Sequence, residues 1–242
     1  EFRRVLFRSV EGKYAELLFQ MFESLVIPAL DFVRLNLKEP VPTTSSSLAL
    51  ALCRVMDTFL SGFVPELGED ALSPAREKEL EQLIKPAFLY SAIWSIGCTS
   101  DAHGRKAFSN WMRSTLDELR ELFPDHLGLP KENQVHDYVF TEMEWRSWMD
   151  IIPAYEIQAG TPFSELIIPT LDSVRHTYLL DRLVQEGHHV LCSGETGTGK
   201  TVTVQEHLLK GMESKFVSIF FSFSAQTSAN QVQDMIDSKL DK

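Results

Sequence analysis

Helical spacing of apolar residues fills the first half of the chain, and a glycine-rich loop lies between an apolar run and a helical run near its end. Together they predict an all-α subdomain followed by part of an α/β P-loop subdomain. A third observation separates the two: after Phe123 the helical periods give way to turn-rich and alternating sequence. The 242 residues are 44% hydrophobic and 24% charged, which supplies enough apolar side chain for one or two cores.

The first element is an amphipathic helix over Lys13 to Leu37, with Leu18, Phe22, Leu25, Ala29 and Phe32 at helical spacing. Pro28 lies inside it and removes a backbone donor, so the helix bends or restarts there. "KEPVPTTSSS" ends it and offers caps to a second helix from about Leu48 to Phe63. After the loop "VPELGEDALSP", a third helix runs from about Ala75 to Gly97. It is charged at its start and apolar on all sides at its end, so its last turns are expected to be buried. "TSDAHG" separates it from a fourth helix, about Arg105 to Phe123, with Trp111, Leu116 and Leu119 near one face.

"VHDYVF" alternates and reads as a short strand. Trp145 and Trp148 read as packing anchors, and "QAGTPFSE" as a linker. The next helix begins at Leu171 or Asp172 and is capped at Gly187. "HHVLCSG" is predicted as an apolar strand, "TVTVQEHLLKGM" as a helix with Val204, Leu208 and Met212 on one side, and "KFVSIFFSFS" as a strand buried on both faces. A last helix is capped by Thr227 or Ser228.

The net charge of -11 argues against a nucleic-acid groove, which needs a basic face. The acidic residues are spread along the chain and read as solvated helix faces. Cys53, Cys98 and Cys192 lack metal or redox spacing and read as reduced thiols of an intracellular protein. The best apolar run, "AFLYSAIWSIGC", is too short to cross a bilayer. "EFRRVLFRS" shares no period with the helix after it and resembles a translated sequencing-library adapter. Residues 1–9 are set aside on that ground.

Gly194, Gly199, Lys200 and Thr201 satisfy G-x-x-x-x-G-K-[ST] without departure. Glycines let the backbone curl so that its N–H groups converge on phosphate oxygens. Lys200 places a cation beside the β- and γ-phosphates, the Thr201 hydroxyl suits a Mg²⁺ ligand, and the helix that begins there adds its positive end. A chance match in a chain of this length is expected on the order of one time in a hundred.

Hydrolysis asks for more. An acid at the end of a buried strand must hold Mg²⁺ and orient water, yet "SIFFSFSAQT" ends in Ser and Ala. Glu206, Asp234 and Asp237 fall on predicted helices and read as surface charges. The catalytic half is therefore expected beyond Lys242, and the sequence is expected to be a piece cut at both ends. His188-His189 lacks partners at ligand spacing, and adjacent strand residues face opposite ways. Ser193 is not a G-x-S-x-G nucleophile. Asp101, His103 and Ser100 look triad-like in composition only and read as a polar turn between helices.

The joint pattern carries a resemblance. "ELIIPTLDSVRHTYLLDRLVQEGHHVLCSGETGTGKT" followed by "FSFSAQTSANQVQDMIDSKLDK" closely resembles the third AAA+ module of dynein heavy chains, axonemal ones in particular. "FVRLNLKEPVPTTSSSLALALCRVMD", "FLYSAIWSIGC" and "VHDYVFTEMEWRSWMD" resemble the helical lid of the second module and its connection to the third. The resemblance covers Val10 to Lys242.

It implies a fragment of a ring-shaped ATPase motor that walks along microtubules in cilia or flagella, within the cytoplasm and cytoskeleton. The third module is then a secondary site that gates the motor. It implies ATP or ADP with Mg²⁺ as ligands. It also implies neighbouring AAA+ modules, dynein intermediate and light chains and microtubules as partners, with no nucleic acid and no membrane. Carried over by position, Gly194, Thr196, Gly197, Thr198, Gly199, Lys200 and Thr201 would hold phosphates and Mg²⁺. Ile168, Pro169 and Thr170 would lie against adenine, and a packing role for these three stays open. Glu195 stands where many relatives have a neutral residue, and its carboxylate would repel phosphate unless it points to solvent.

The expected division is residues 10–123 as a helical lid, 124–163 as a connector and 164–242 as the first half of a large AAA+ subdomain. Two other readings remain: a midasin-like AAA+ protein, and a P-loop module that binds nucleotide as a structural clamp without turnover. The fragment alone is expected to fold marginally, because its sheet would expose a buried strand's edge.

Overall fold

The computed structural model describes residues 12–63, 72–152, 168–212 and 216–240. The chain divides into two compact units, Glu1–Thr198 and Gly199–Lys242. The linker expected at "QAGTPFSE" lies outside the described residues.

The first unit opens with α1 (Gly12–Met21), a wide π turn (Phe22–Val26) and α2 (Ile27–Asn36). The wide turn is the physical answer to Pro28. Proline cannot donate, and its ring crowds the carbonyl four residues back. The turn before it opens by one residue, so that the Ile27 N–H reaches Phe22 O. Helix direction is kept, and Leu18, Met21, Leu25, Ala29 and Val33 form one buried stripe.

Helix α3 (Ser45–Leu60) starts at a reciprocal cap. Thr44 Oγ1 accepts from the Ser47 N–H, and Ser47 Oγ accepts from the Thr44 N–H, each at 3.1 Å. Its inner face is Leu48, Leu52, Val55, Met56 and Leu60, and it packs against α4 (Pro74–Ser95). Every residue from Pro86 to Ser95 of α4 is buried, as the apolar end of its sequence predicts. The two serines there are satisfied locally: Ser91 Oγ donates to Ala87 O at 2.7 Å and Ser95 Oγ to Ser91 O at 2.6 Å.

Asp101 accepts from the Gly104 N–H at 2.8 Å and so caps α5 (Ala102–Glu118). That is the polar-turn role expected for it. The Phe108 ring of α5 lies where a Cβ on Gly97 would stand, so only glycine fits that corner.

A hairpin comes next, β1 (Tyr138–Thr141) and β2 (Glu144–Ser147), antiparallel with Tyr138 opposite Ser147 and Phe140 opposite Trp145. The strand expected in "VHDYVF" begins only at Tyr138, because Val135–Asp137 forms a 3-10 turn. Strand β1 is mostly buried while β2 is mostly half-buried. Trp148 opens the short α6 (Trp148–Ile151) and is fully buried, edge-on to Trp94 with centroids 5.4 Å apart. Trp145 packs on Phe140 and donates Nε1–H to Leu127 O at 3.2 Å. Both tryptophans are packing anchors, and this hairpin belongs to the same core as the helices.

Helix α7 (Leu171–Gln185) is capped by the Thr170–Ser173 pair and stopped at Gly187, whose φ is +73°. In the second unit, α8 (Lys200–Glu206) runs into a π turn, His207–Gly211. Helix α9 (Ala229–Leu240) comes last, with Ser228 and Gln231 exchanging backbone-to-side-chain bonds at its start. Ser228 is thus the cap; Thr227 instead accepts from the Ser224 N–H at 2.8 Å.

Two strand expectations are corrected. Neither the predicted strand over His188–Gly194 nor the described part of the one over Lys215–Ser224, residues 216–224, enters a ladder. The only sheet among the described residues is β1 with β2. The expected burial fails with it: Leu191 is 91% exposed, Val217 86% and Phe223 67%. β-propensity measures fit to a pleated surface with neighbours on both sides. Within residues 216–224 the Ser218 Oγ donates to Leu208 O of the π turn at 2.7 Å. Among the described residues no helix is long and apolar enough to cross a membrane, and no cluster of three or more His, Cys, Asp or Glu could hold a metal.

Candidate functional site

The loop Gly194–Thr201 comes after the unpaired run that begins beyond Gly187, and the boundary between the two units falls inside it, after Thr198. Gly197 (φ +84°) and Gly199 (φ +78°) are left-handed, while Thr196, Thr198 and Lys200 are not. Alternation of this kind turns successive N–H groups toward one side, which is the concave arrangement that binds anions. Only glycine takes the left-handed positions without strain. A Cβ at either position would meet nothing within 4 Å, so torsion, not crowding, demands glycine there.

Thr198 Oγ1 donates to Glu195 O at 3.0 Å and closes the first part of the loop. Lys200 and Thr201 open α8, with Gly199 O accepting from the Thr203 N–H at 2.9 Å. Lys200 is half-buried, and Gly194 to Gly199 and Thr201 are exposed. The donor set is backbone amides, the Lys200 ammonium and the hydroxyls of Thr196, Thr198 and Thr201. It suits a polyphosphate, and the Thr201 hydroxyl could ligate a Mg²⁺ ion. Asp234 and Asp237 are exposed on α9, and Glu206 lies on α8.

Ile168, Pro169 and Thr170 lead into α7. Ile168 is 60% exposed, an apolar surface free to meet a flat base. Thr170 is occupied as the cap, accepting from the Ser173 N–H at 3.1 Å. His188 Nε2 stands 3.6 Å from Asp57 Oδ2. Burial pushes the Asp57 carboxyl above its usual range; His188 opposes that and Glu186 adds to it.

Sequence reading missed the residues that hold α7 in place. Arg182 Nε donates to Thr58 Oγ1 at 3.0 Å and its Nη2 to Thr58 O at 2.7 Å, and its guanidinium lies 4.1 Å from the Phe59 ring centroid. Arg175 is buried and pairs with Asp137 at 2.8 Å. The available signal was two arginines seven apart on one face of a helix.

Residues 18–150 match the family described as "Dynein heavy chain AAA lid domain", and residues 155–242 match "P-loop containing dynein motor region". Dynein axonemal heavy chain 1 of Homo sapiens is 36% identical over 95% of the chain, and that of Mus musculus 35% over 95%. Dynein axonemal heavy chain 12 of Rattus norvegicus is 31% identical over 96%. The chain spans 6%, 6% and 8% of those three relatives. The lid match alone covers more than half of the sequence, and with the P-loop match beside it the chain belongs to the dynein heavy chain family.

Proposed function

We propose that Gly194–Thr201 binds the phosphates of ATP or ADP with Mg²⁺. The chain thereby contributes one regulatory nucleotide site to the AAA+ ring of an axonemal dynein heavy chain. The observation that carries this reading is the loop itself: a full G-x-x-x-x-G-K-T pattern whose Gly197 and Gly199 take left-handed torsions between neighbours of negative φ. Backbone N–H groups from Gly194, Thr196, Gly197, Thr198 and Gly199 grip the phosphates. Lys200 neutralises the terminal charge, and Thr201 Oγ1 is the protein's ligand to Mg²⁺. Ile168 and Pro169 lie under the adenine, and Thr170 sets the start of α7 beside them.

In the whole motor this site gates movement along microtubules in a cilium or flagellum. Neighbouring modules of the same chain and dynein intermediate and light chains are its partners. Support for the gating role comes from the resemblance to the third module and from the axonemal names of the relatives. The reading in which nucleotide is held without turnover is favoured by one observation: Asp234 and Asp237, two of the acids after the loop, are exposed on a helix.

Equilibrium titration with a fluorescent ATP analogue tests the site. Lys200→Ala should weaken binding about tenfold or more, the scale of a lost charge-assisted bond. Unchanged affinity in that variant would remove the loop from the reading.

A further inference from the structure

Both segments assigned to the nucleotide flank one helix. Ile168–Thr170 precede α7, and the run from His188 to Thr198 comes after it. Any force that fixes the ends of α7 fixes where these two segments start. The lid supplies such a force at each end. Near the first end, Arg175 donates to Asp137 Oδ1 at 2.8 Å and to Asp172 Oδ1 at 3.3 Å. Near the other end, Arg182 makes two bonds to Thr58, in the last turn of α3, and lies over Phe59. Between them Tyr178 sits edge-on against Trp148 at 5.3 Å. The three side chains fall at i, i+3 and i+7, one face of the helix.

The chemistry at Thr58 is specific. Carbonyls in the last turn of a helix lack partners within the helix and carry partial negative charge, so a guanidinium is favoured there. Arg182 Nε–H and Nη2–H form a fork that meets one hydroxyl and one carbonyl of the same residue, while Nη1 reaches Tyr178 Oη at 3.3 Å. A lysine has one compact ammonium and cannot occupy both bonds and the Phe59 face together. One residue beyond Gly187, His188 Nε2 stands 3.6 Å from Oδ2 of Asp57, the neighbour of Thr58.

We infer that Arg182 and Thr58 are positioning residues for the nucleotide site: Thr58 of the lid and its partner Arg182 on α7 touch no nucleotide and set its affinity through α7. This rests on the phosphate-loop reading of Gly194–Thr201. It makes the lid's hold on α7 a determinant of binding. A change in how the lid holds α7 would then be felt at the loop, and, by reciprocity, nucleotide would strengthen the lid's grip.

Thr58→Val keeps the shape of the side chain and the backbone carbonyl but deletes the hydroxyl that Arg182 uses; Thr58→Ser keeps it. The experiment is titration of a fluorescent ATP analogue into the 242-residue chain, with hydrogen exchange of the Glu186–His188 amides alongside. Those amides bond back to Arg182, Val184 and Leu183, so they report the end of α7 directly. Thr58→Val and Arg182→Lys should each weaken binding about fivefold and speed exchange there, and the double variant should fall short of the product of the two. Thr58→Ser should restore both readouts. Leu116→Ala, a buried core change in α5, should lower the melting temperature and leave the affinity in place.

Wild-type binding with undiminished affinity in Thr58→Val overturns the inference and spares the phosphate loop. Failure of Thr58→Ser to rescue, or an equal loss in Leu116→Ala, overturns it too, by making the effect one of stability. No binding by the wild type overturns the loop reading and this inference together.

Discussion

Arg175 Nη2 donates to Asp137 Oδ1 at 2.8 Å, joining α7 to the turn that opens the hairpin across 38 residues of sequence. The two ends differ in setting: the Arg175 side chain is 8% exposed and that of Asp137 35%. The guanidinium is therefore the group taken out of water, and it also faces the Trp94 ring at 5.9 Å.

This predicts an asymmetric response to substitution. Arg175→Ala leaves a gap beside Trp94 and strips Asp137 of its partner, and should cost about 3 kcal/mol. Arg175→Met fills the same space without a buried charge and should cost less than half as much, because a buried ion pair contributes little beyond a well-packed apolar side chain. Urea unfolding of both variants checks the order; equal losses would show that the charge, not the volume, matters.

His136 sets a pH dependence. Burial pushes its imidazole down to about 4, and the nearby Arg105 and Arg175 push the same way, while its hydrogen bond to Gly97 O at 3.0 Å opposes. The folded chain thus resists protonation where the unfolded chain accepts it. Stability from this group is present above about pH 6.5 and is lost as pH falls toward 4, by up to ~3 kcal/mol. Unfolding curves at about pH 7 and about pH 5 for the wild type and His136→Gln test it. The wild type should lose more between the two pH values than the variant does, and parallel losses would assign the effect to carboxylates instead.

The hairpin turn carries local strain. Glu142 and Met143 both have positive φ, +51° and +65°, in a two-residue connection that favours Asn-Gly. Met143→Gly should therefore raise stability by ~0.5–1 kcal/mol despite losing a half-exposed side chain. A lower melting temperature in that variant would mean that Met143 packs more than its 39% exposure suggests.

This turn also explains part of what the sequence conceals. Helix starts are readable because caps act within three residues: Thr44, Ser73, Asp101, Thr170 and Ser228 each stand beside the amides they satisfy. The glycine-rich loop is readable because its left-handed torsions require glycine at fixed places. The hairpin is obscure because Glu-Met gives no turn signal, and β2 has no apolar alternation to mark it. The apolar runs around Leu191 and Phe220 read as strands, yet a strand exists only with a neighbour, and that information is not local. The hold of Arg182 on Thr58 spans 124 residues, beyond any spacing rule.

Glu195 is the one loop residue whose chemistry opposes a phosphate. It is exposed, and its carbonyl accepts from Thr198 Oγ1. Screening by water and salt should keep its repulsion small, so Glu195→Gln should tighten ATP binding only about two- to threefold at physiological salt, and more at low salt. An increase that ignores ionic strength would argue for a structural effect of the substitution. A tenfold gain would place the carboxylate against the phosphates.

Binding and turnover should separate in this chain. Hydrolysis needs an attacking water held by an acid fixed at a strand end, with charge at the transferring phosphoryl group neutralised from more than one side. The loop supplies one cation, Lys200, and no acid other than Glu195. Asp234 and Asp237 are solvated on α9, and the run from 216 to 224 forms no strand that could present an acid. Without an oriented water and charge neutralisation from a second side, most of the barrier remains. The chain should therefore bind ATP and release it unchanged, with phosphate production at background and equal in the wild type and Lys200→Ala. A turnover that Lys200→Ala abolishes would show that an acid elsewhere in these 242 residues reaches the loop.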